Sequence, residues 1–243
     1  MPEGPSIVIL VDKIKALHLG KPKILGVSGS AKGIDEDQLV GQDIQAFKSH
    51  GKHFLICLKD LTITIHLMLF GTYLINETKK KPLKFGIRLK NDELNFYTCN
   101  VNFLEGNVKQ HFDWRNDIMD EEWDDDLAVE RIMAEPKALI CDVLLDQKIF
   151  AGVGNIIKNE SLYLARINPL TEVKDLTKSR LKQLIKETRK YSFNFLKWKK
   201  EDSLSKHWKV YRQKVCENGH KIIKKELGKT HRQTYFCEAC QAK

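Results

Sequence analysis

Four residues near the C-terminal end have the types and spacing of a metal site. The segment "CENGHKIIKKELGKTHRQTYFCEACQ" reads Cys216-x3-His220-x16-Cys237-x2-Cys240. Two close pairs of sulfur and imidazole donors suit a tetrahedral, structural Zn2+. Each pair would form one knuckle. The residues between them, with "II" after His220 and "YF" before Cys237, would supply the strands of a hairpin. The spacing is irregular, since the first pair has three intervening residues and ends in His. A chance Cys-x2-Cys beside unrelated Cys216 and His220 is the bland alternative. His231 is a rival ligand, although it falls inside the hairpin loop. A closed four-ligand site contributes folding energy and performs no chemistry, so catalysis must lie elsewhere.

Two further stretches place reactive or anion-binding groups at helix starts. The chain opens "MPEGPSIVIL", with Pro2 and Glu3 directly before a helical pattern. Taken alone, this is a proline tolerated at helix entry and an acid that complements the helix dipole. "AGVGNIIKNE" sets two glycines and Asn155 at the start of another helix. Exposed backbone N–H groups and the positive dipole end favour an anion there, and Asn155 can cap the helix or reach a phosphate. An ordinary glycine turn with an Asn cap fits that stretch equally well.

The elements that must position these groups fall into two kinds. The first helix spans about residues 6–19, with Gly20 and Pro22 as stop signals. "LTITIHLML" then alternates, with Leu61, Ile63, Ile65, Leu67 and Leu69 on one face and Thr62, Thr64, His66 and Met68 on the other, as a half-buried strand does. "HFLICL", "GTYLIN", "FGIRLK" and "ELNFYT" are further short strands between polar turns, which predicts a β-sandwich or barrel. His66, on the polar face, is expected to be a hydrogen-bonded structural histidine. After about residue 112 the strand signal ends. "DWRNDIMDEEWDDD" is acidic and predicts an interdomain crossing. Three helices follow, in "PKALICDVLLDQ", "NIIKNESLYLARI" and "TKSRLKQLIKETRKYSFNFLKWKK", the last basic on its outer face. The fold class is therefore α+β and multidomain. Residues 1–112 form a β-sandwich domain with an N-terminal helix and 113–126 an acidic linker. Residues 127–205 form a helical domain and 206–243 a zinc-finger hairpin.

Composition bounds the function. The 243 residues carry a formal charge of +9, and the excess is uneven. Residues 178–243 hold 19 Lys/Arg against 6 Asp/Glu, whereas residues 1–177 hold 22 against 26. A basic C-terminal third points to a polyanionic partner, most often nucleic acid. No apolar run approaches the roughly 18–20 residues of a membrane span, and the first residues lack the pattern of a secretory signal. Cys57, Cys99 and Cys141 sit in apolar surroundings as buried small hydrophobes, and no disulfide framework is evident, which predicts a reducing compartment.

In combination these pieces resemble the Fpg/Nei DNA glycosylases, in four places and in the same order along essentially the whole chain. "PEGP" is similar to the family's catalytic N-terminus. "HGKHFLI" resembles the strand turn that carries its essential lysine, here Lys52. "LLDQKIFAGVGNIIKNESLYLARINP" resembles its helix–two-turn–helix, with Asn155 as a phosphate contact. "RQTYFCEACQ" resembles the end of its zinc finger, with Arg232 as a second phosphate contact. "IHLMLFG" is similar to the site of the void-filling residues, here Met68, Leu69 and Phe70. Its apolar–aromatic pattern and the "CENGH" start of the finger resemble the Nei side, the latter the Cys-His-Cys-Cys finger of vertebrate Nei-like 2.

The resemblance implies a chemistry for the opening residues. Once Met1 is removed, Pro2 is a secondary amine with a pKa near 8, able to attack C1′ of a damaged nucleoside. The resulting iminium is an electron sink for β-elimination and then δ-elimination. Glu3 would shuttle protons to the opening sugar, and Lys52 would contact the flanking phosphate or assist base departure. The target base must leave the duplex, and Met68, Leu69 and Phe70 would wedge the stack. The expected partner is damaged DNA, bound in the cleft between the domains by a monomer whose finger holds one structural Zn2+. The expected compartment is a bacterial cytoplasm, or a nucleus if the source is eukaryotic. The competing reading is a non-catalytic zinc-finger protein that binds DNA damage on the same scaffold.

Overall fold

The computed structural model describes residues 2–33 and 36–241. The chain divides into two compact units with the boundary between Asp113 and Trp114. In the first unit, α1 (Gly4–Lys15) is followed by β1 (Gly26–Ser28), α2 (Glu36–Leu39), β2 (Ala46–His50), β3 (His53–Cys57), β4 (Leu61–Ile75), β5 (Phe85–Arg88) and β6 (Glu93–Glu105). The helix starts two residues earlier than the sequence suggests, because Pro5 falls in its first turn, where a missing N–H costs nothing. It also stops earlier, as His18 and Gly20 both adopt positive φ.

The six strands form one antiparallel sheet in the order β1-β5-β6-β4-β3-β2. Its long central strands bend so far that the sheet closes over its own core. Phe96 and Phe103 lie seven residues apart on β6, about 23 Å if the strand were straight, yet both ring centroids are 6.4 Å from Phe85. Phe54 of β3 reaches Phe96 at 5.6 Å, across the intervening β4. The sandwich is thus one folded sheet, filled also by Ile7, Leu10, Val11 and Ile14 from α1. "LTITIHLML" and "GTYLIN", expected as separate strands, are one strand of 15 residues interrupted by a bulge. The predicted polar face of that strand is also covered, since Thr62 and Thr64 are buried.

In the second unit come α3 (Asp125–Met133), α4 (Ile140–Val143), α5 (Asn155–Leu164), α6 (Lys178–Lys200), β7 (Ile223–Leu227) and β8 (Arg232–Phe236). Asp124 caps α3 by accepting from the N–H groups of Asp126 and Leu127, both at 3.0 Å, and Thr177 caps α6. The helix expected from Pro136 shrinks to the single turn α4. Its backbone groups are engaged elsewhere: the Pro136 and Ala138 carbonyls accept from Lys174 and Val173, and the Ile140 N–H donates to Thr171. The acidic segment from Trp114 onward belongs to this unit and buries Trp114, Asn116, Asp117 and Ile118. β7 and β8 form an antiparallel hairpin with Ile223 opposite Phe236. Leu227 and Phe236 join the helical core, so the hairpin packs on the helices. Among the described residues no helix is long and apolar enough to cross a membrane.

Candidate active site and nucleic-acid interface

Pro2 is half-buried and Glu3 is 2% exposed at the entrance to α1. Glu3 occupies the cap position in an extended conformation, but its side chain makes no capping hydrogen bond to the helix. The bland role for this acid, holding its own helix start, is therefore not the one it fills. Met1 lies outside the described residues.

Lys52 is buried in the two-residue turn between β2 and β3, which pair from Ala46 opposite Cys57 to His50 opposite His53. The β3–β4 register sets His53 opposite His66, with ring centroids 4.9 Å apart. Three imidazoles thus surround the Lys52 turn, and sequence reasoning missed two of them, His50 and His53. The signal was present in "HGKH", which brackets the lysine. Burial, then the neighbouring His66, His50 and Lys52 charges, lower His53 to about 4. Burial and Lys52 also lower His66, against a hydrogen bond to the Lys52 backbone. Both imidazoles are therefore neutral at physiological pH. His50 is fixed by a 3.1 Å contact of Nε2 with the Asp113 carbonyl. His66, expected to be hydrogen-bonded, makes its bond to the Lys52 backbone and leaves Nδ1 buried without a hydrogen-bond partner among the described residues.

Met68, Leu69 and Phe70 occupy the bulge in β4. Leu67 pairs with Cys99 and Thr72 with Tyr97, so four residues of β4 face the single residue Thr98. The excess chain loops outward, leaving Met68, Leu69 and Phe70 41%, 55% and 73% exposed. Gly71 closes the loop. A Cβ there would meet the Thr98 carbonyl oxygen at 2.6 Å and the Met68 nitrogen at 2.7 Å. A tripeptide of large apolar side chains held out from a sheet by a bulge is unusual for a solvent face. Leu69 does not continue the core face of its strand.

In the second unit Asn155 and the finger come together. Asn155 is the first residue of α5, with Gly154 as the cap, so it does not cap the helix as expected. Its Nδ2 donates to the Gln233 carbonyl at 2.8 Å. Arg232, the residue before Gln233, is exposed at the start of β8. Behind this pair is a run of buried polar residues that the sequence pattern did not reveal, Lys158, Asn159, Glu160 and Ser161, none more than 1% exposed. Lys158 Nζ donates to Thr234 Oγ1 at 2.9 Å, and Asn159 Oδ1 accepts from the Tyr235 N–H at 2.9 Å. Glu160 accepts from the N–H groups of Lys209, Val210 and Tyr211 at 2.7–3.0 Å. Burial pushes its carboxyl up and these donors pull it back. At the hairpin tip, Asp142 of α4 accepts from the Lys229 N–H at 3.0 Å. The hairpin is fastened along its length to α4 and α5.

Cys216, His220, Cys237 and Cys240 converge, with one donor atom from each within 4.8 Å of all the others. Cys216 Sγ lies 3.8 Å from His220 Nδ1 and 3.9 Å from Cys240 Sγ, and His220 Nδ1 lies 3.4 Å from Cys240 Sγ. Tetrahedral Zn2+ with ordinary bond lengths sets such edges at about 3.6–3.8 Å, so the four residues fit a metal ion of that size. The Asn218 amide and then His220 lower the Cys240 thiol to about 6, towards the ligating thiolate. His231 stands exposed on the hairpin turn, outside the cluster. Cys57, Cys99 and Cys141 are buried, as expected.

Comparison with known proteins agrees with this layout. The formamidopyrimidine-DNA glycosylase N-terminal domain matches residues 1–103, and the H2TH domain of the same glycosylases matches residues 116–194. Endonuclease 8-like 3 of Xenopus laevis is 33% identical over 221 residues, covering 85% of this chain and 36% of that protein. Endonuclease 8-like L720 of Acanthamoeba polyphaga mimivirus is 28% identical over 278 residues, covering 99% of this chain and 100% of that protein. The chain spans only about a third to a half of the length of the vertebrate relatives it matches. Among solved structures, a viral DNA glycosylase superposes with a TM-score of 0.85 at 25% identity, covering 98% of this chain and 99% of that one. A Lactococcus lactis formamidopyrimidine-DNA glycosylase, non-covalently bound to DNA containing an AP site, gives 0.86 at 22% identity, covering 99% and 100%. With both domain models matched in order and the endonuclease 8-like relatives aligned along the chain, this protein belongs to the Fpg/Nei family of DNA glycosylases, on its endonuclease 8-like branch.

Proposed function

We propose that the chain is a base-excision-repair DNA glycosylase with AP lyase activity, acting as a monomer on oxidised bases, pyrimidines foremost. The observation that carries this reading is Glu3, a buried carboxyl beside Pro2 that does not cap its own helix. After removal of Met1, the Pro2 nitrogen attacks C1′ and the C1′–base bond breaks. Opening of the sugar gives a cationic iminium, with Glu3 delivering the proton to the ring oxygen. The iminium acidifies C2′. Loss of that proton breaks the C3′–O bond and releases the strand on the 3′ side, and a second elimination breaks the C5′–O bond and leaves a gap. Lys52, in the turn flanked by His50, His53 and His66, holds the phosphate beside the lesion.

Met68, Leu69 and Phe70 fill the space left by the extruded base. Asn155 and Arg232 hold phosphates and set the register. Cys216, His220, Cys237 and Cys240 hold one structural Zn2+, which supplies rigidity to the finger and takes no part in bond making. The names of the endonuclease 8-like relatives and of the viral glycosylase support the activity class. Duplexes with a single dihydrouracil or a single 8-oxoguanine test the reading. Preferential excision of dihydrouracil, with strand cleavage on the same timescale, is expected; binding to both without release of either base would leave only a damage-binding protein.

A further inference from the structure

The β4–β5 loop, residues 76–84, contains Lys79, Lys80, Lys81 and Lys84 against the single acid Glu77. Residues 1–113 hold 15 Lys/Arg and 12 Asp/Glu, so this one loop accounts for the whole positive excess of the first unit. The loop is not a loose solvated run. Asn76 exchanges side-chain hydrogen bonds with Asp92 and the Glu93 N–H, at 2.8 and 2.7 Å. Asn95, fully buried, donates to the Glu77 carbonyl at 3.1 Å. The Lys79 N–H donates to the Tyr97 hydroxyl at 3.3 Å. The Lys79 ammonium then folds back over the Tyr97 ring, 4.4 Å from its centroid, and contacts the Thr72 hydroxyl.

Those partners fix where the charge is delivered. Tyr97 pairs with Thr72, the residue at which β4 resumes its ladder after the bulge. Lys79 is therefore anchored at the C-terminal foot of the loop that presents Met68, Leu69 and Phe70, with Lys80 and Lys81 exposed beside it. An apolar wedge entering a base stack brings the backbone phosphates of the flanking nucleotides against whatever stands at its foot. Ammonium groups placed there would meet those phosphates directly.

We propose that Lys79, Lys80 and Lys81 form a phosphate-binding surface for the strand into which the wedge inserts. This gives the first unit a second DNA contact, distinct from Lys52. The proposal rests on the reading of residues 68–70 as the wedge. Lys79, held by Thr72 and Tyr97, sets the geometry, and Lys80 and Lys81 add charge.

The test is equilibrium binding of Lys80→Gln/Lys81→Gln to an abasic-analogue duplex across a salt series. The wild type and Lys59→Gln/Lys109→Gln, which loses two exposed charges at other turns of the same unit, serve as references. Neither lysine of the test pair is in the core, so the fold is retained. The expected result is a log–log salt slope about two lower than wild type and roughly tenfold weaker binding near 0.1 M salt, with the reference variant close to wild type. An unchanged slope, or an equal change in the reference variant, would overturn the proposal. Phe70→Ala, scored by 2-aminopurine fluorescence opposite the lesion, reports separately on the wedge. If it leaves base opening unchanged, the wedge reading fails whatever the lysines do.

Discussion

The side-chain amide of Asn155 donates to the backbone carbonyl of Gln233 across 78 positions of sequence, at 2.8 Å. That bond joins the first residue of α5 to the strand that begins with Arg232. Two candidate phosphate contacts on different elements thus share one support. Asn155→Ala should weaken DNA binding about 10–100-fold, and Arg232→Ala by a similar amount. The double variant should fall short of the product by a coupling of about 1 kcal/mol. Full additivity in a double-mutant cycle would mean that the two act independently.

The three backbone donors on Glu160 predict a stability effect far from any reacting atom. Glu160→Ala leaves the N–H groups of Lys209, Val210 and Tyr211 without their acceptor in a buried setting. A loss of about 2–4 kcal/mol is expected in urea denaturation. Activity per folded molecule should fall less than stability does.

Removal of the metal should act on binding rather than chemistry. Chelation, followed by thiol titration of Cys216, Cys237 and Cys240, should release about one Zn2+ per chain. It should weaken DNA affinity strongly. The hairpin is also fastened through Asp142, Asn155, Lys158 and Asn159, so circular dichroism should report a helical unit that stays folded.

Gly71→Ala should separate base extrusion from lyase chemistry. The added Cβ meets backbone at 2.6 and 2.7 Å, so the bulge must shift and Met68, Leu69 and Phe70 move with it. Excision of an intact damaged base should fall about tenfold or more, whereas cleavage of a preformed abasic site should change less. The expected loss of stability is about 1–3 kcal/mol.

His53 sets a pH dependence. Its folded pKa of about 4 lies below the ordinary value of 6.5. Between those values the unfolded chain binds a proton that the folded chain refuses. His53 therefore contributes no penalty above about pH 6.5, and stability falls as pH drops through the window towards 4. His53→Gln should make the fall of the urea midpoint across that range shallower, the remainder coming from His66, which is lowered as well; an unchanged profile would contradict this.

Local chemistry was the legible part of this sequence. The four candidate ligands Cys216, His220, Cys237 and Cys240 could be picked by type and spacing, and the structure brings all four together. β3, β5 and the first half of β6 coincide with the short strands read between polar turns, and α6 with the long helix that is basic on its outer face. What local pattern cannot show is where a long-range partner sits. "KNES" in α5 looks like a solvated face, yet it is buried because its acceptors and donors arrive from residues 209–211 and 234–235. The helix expected after Pro136 was lost to hydrogen bonds from residues 171–174. The bulge at Met68 was hidden because Leu69 keeps the alternation of its strand in sequence while leaving it in space. The capping role allowed for Asn155 is not the one it fills, because its amide is claimed by the finger 78 positions away.

The central claim is that the Pro2 amine forms a covalent iminium with the sugar. Protein whose loss of Met1 has been verified by intact mass should be mixed with abasic-site DNA and borohydride, and the product digested and sequenced by mass spectrometry. A reduced adduct on Pro2, lost when a residue is added before it, is the predicted result. Tight binding to the abasic site with no adduct, or an adduct on Lys52 instead, would contradict it.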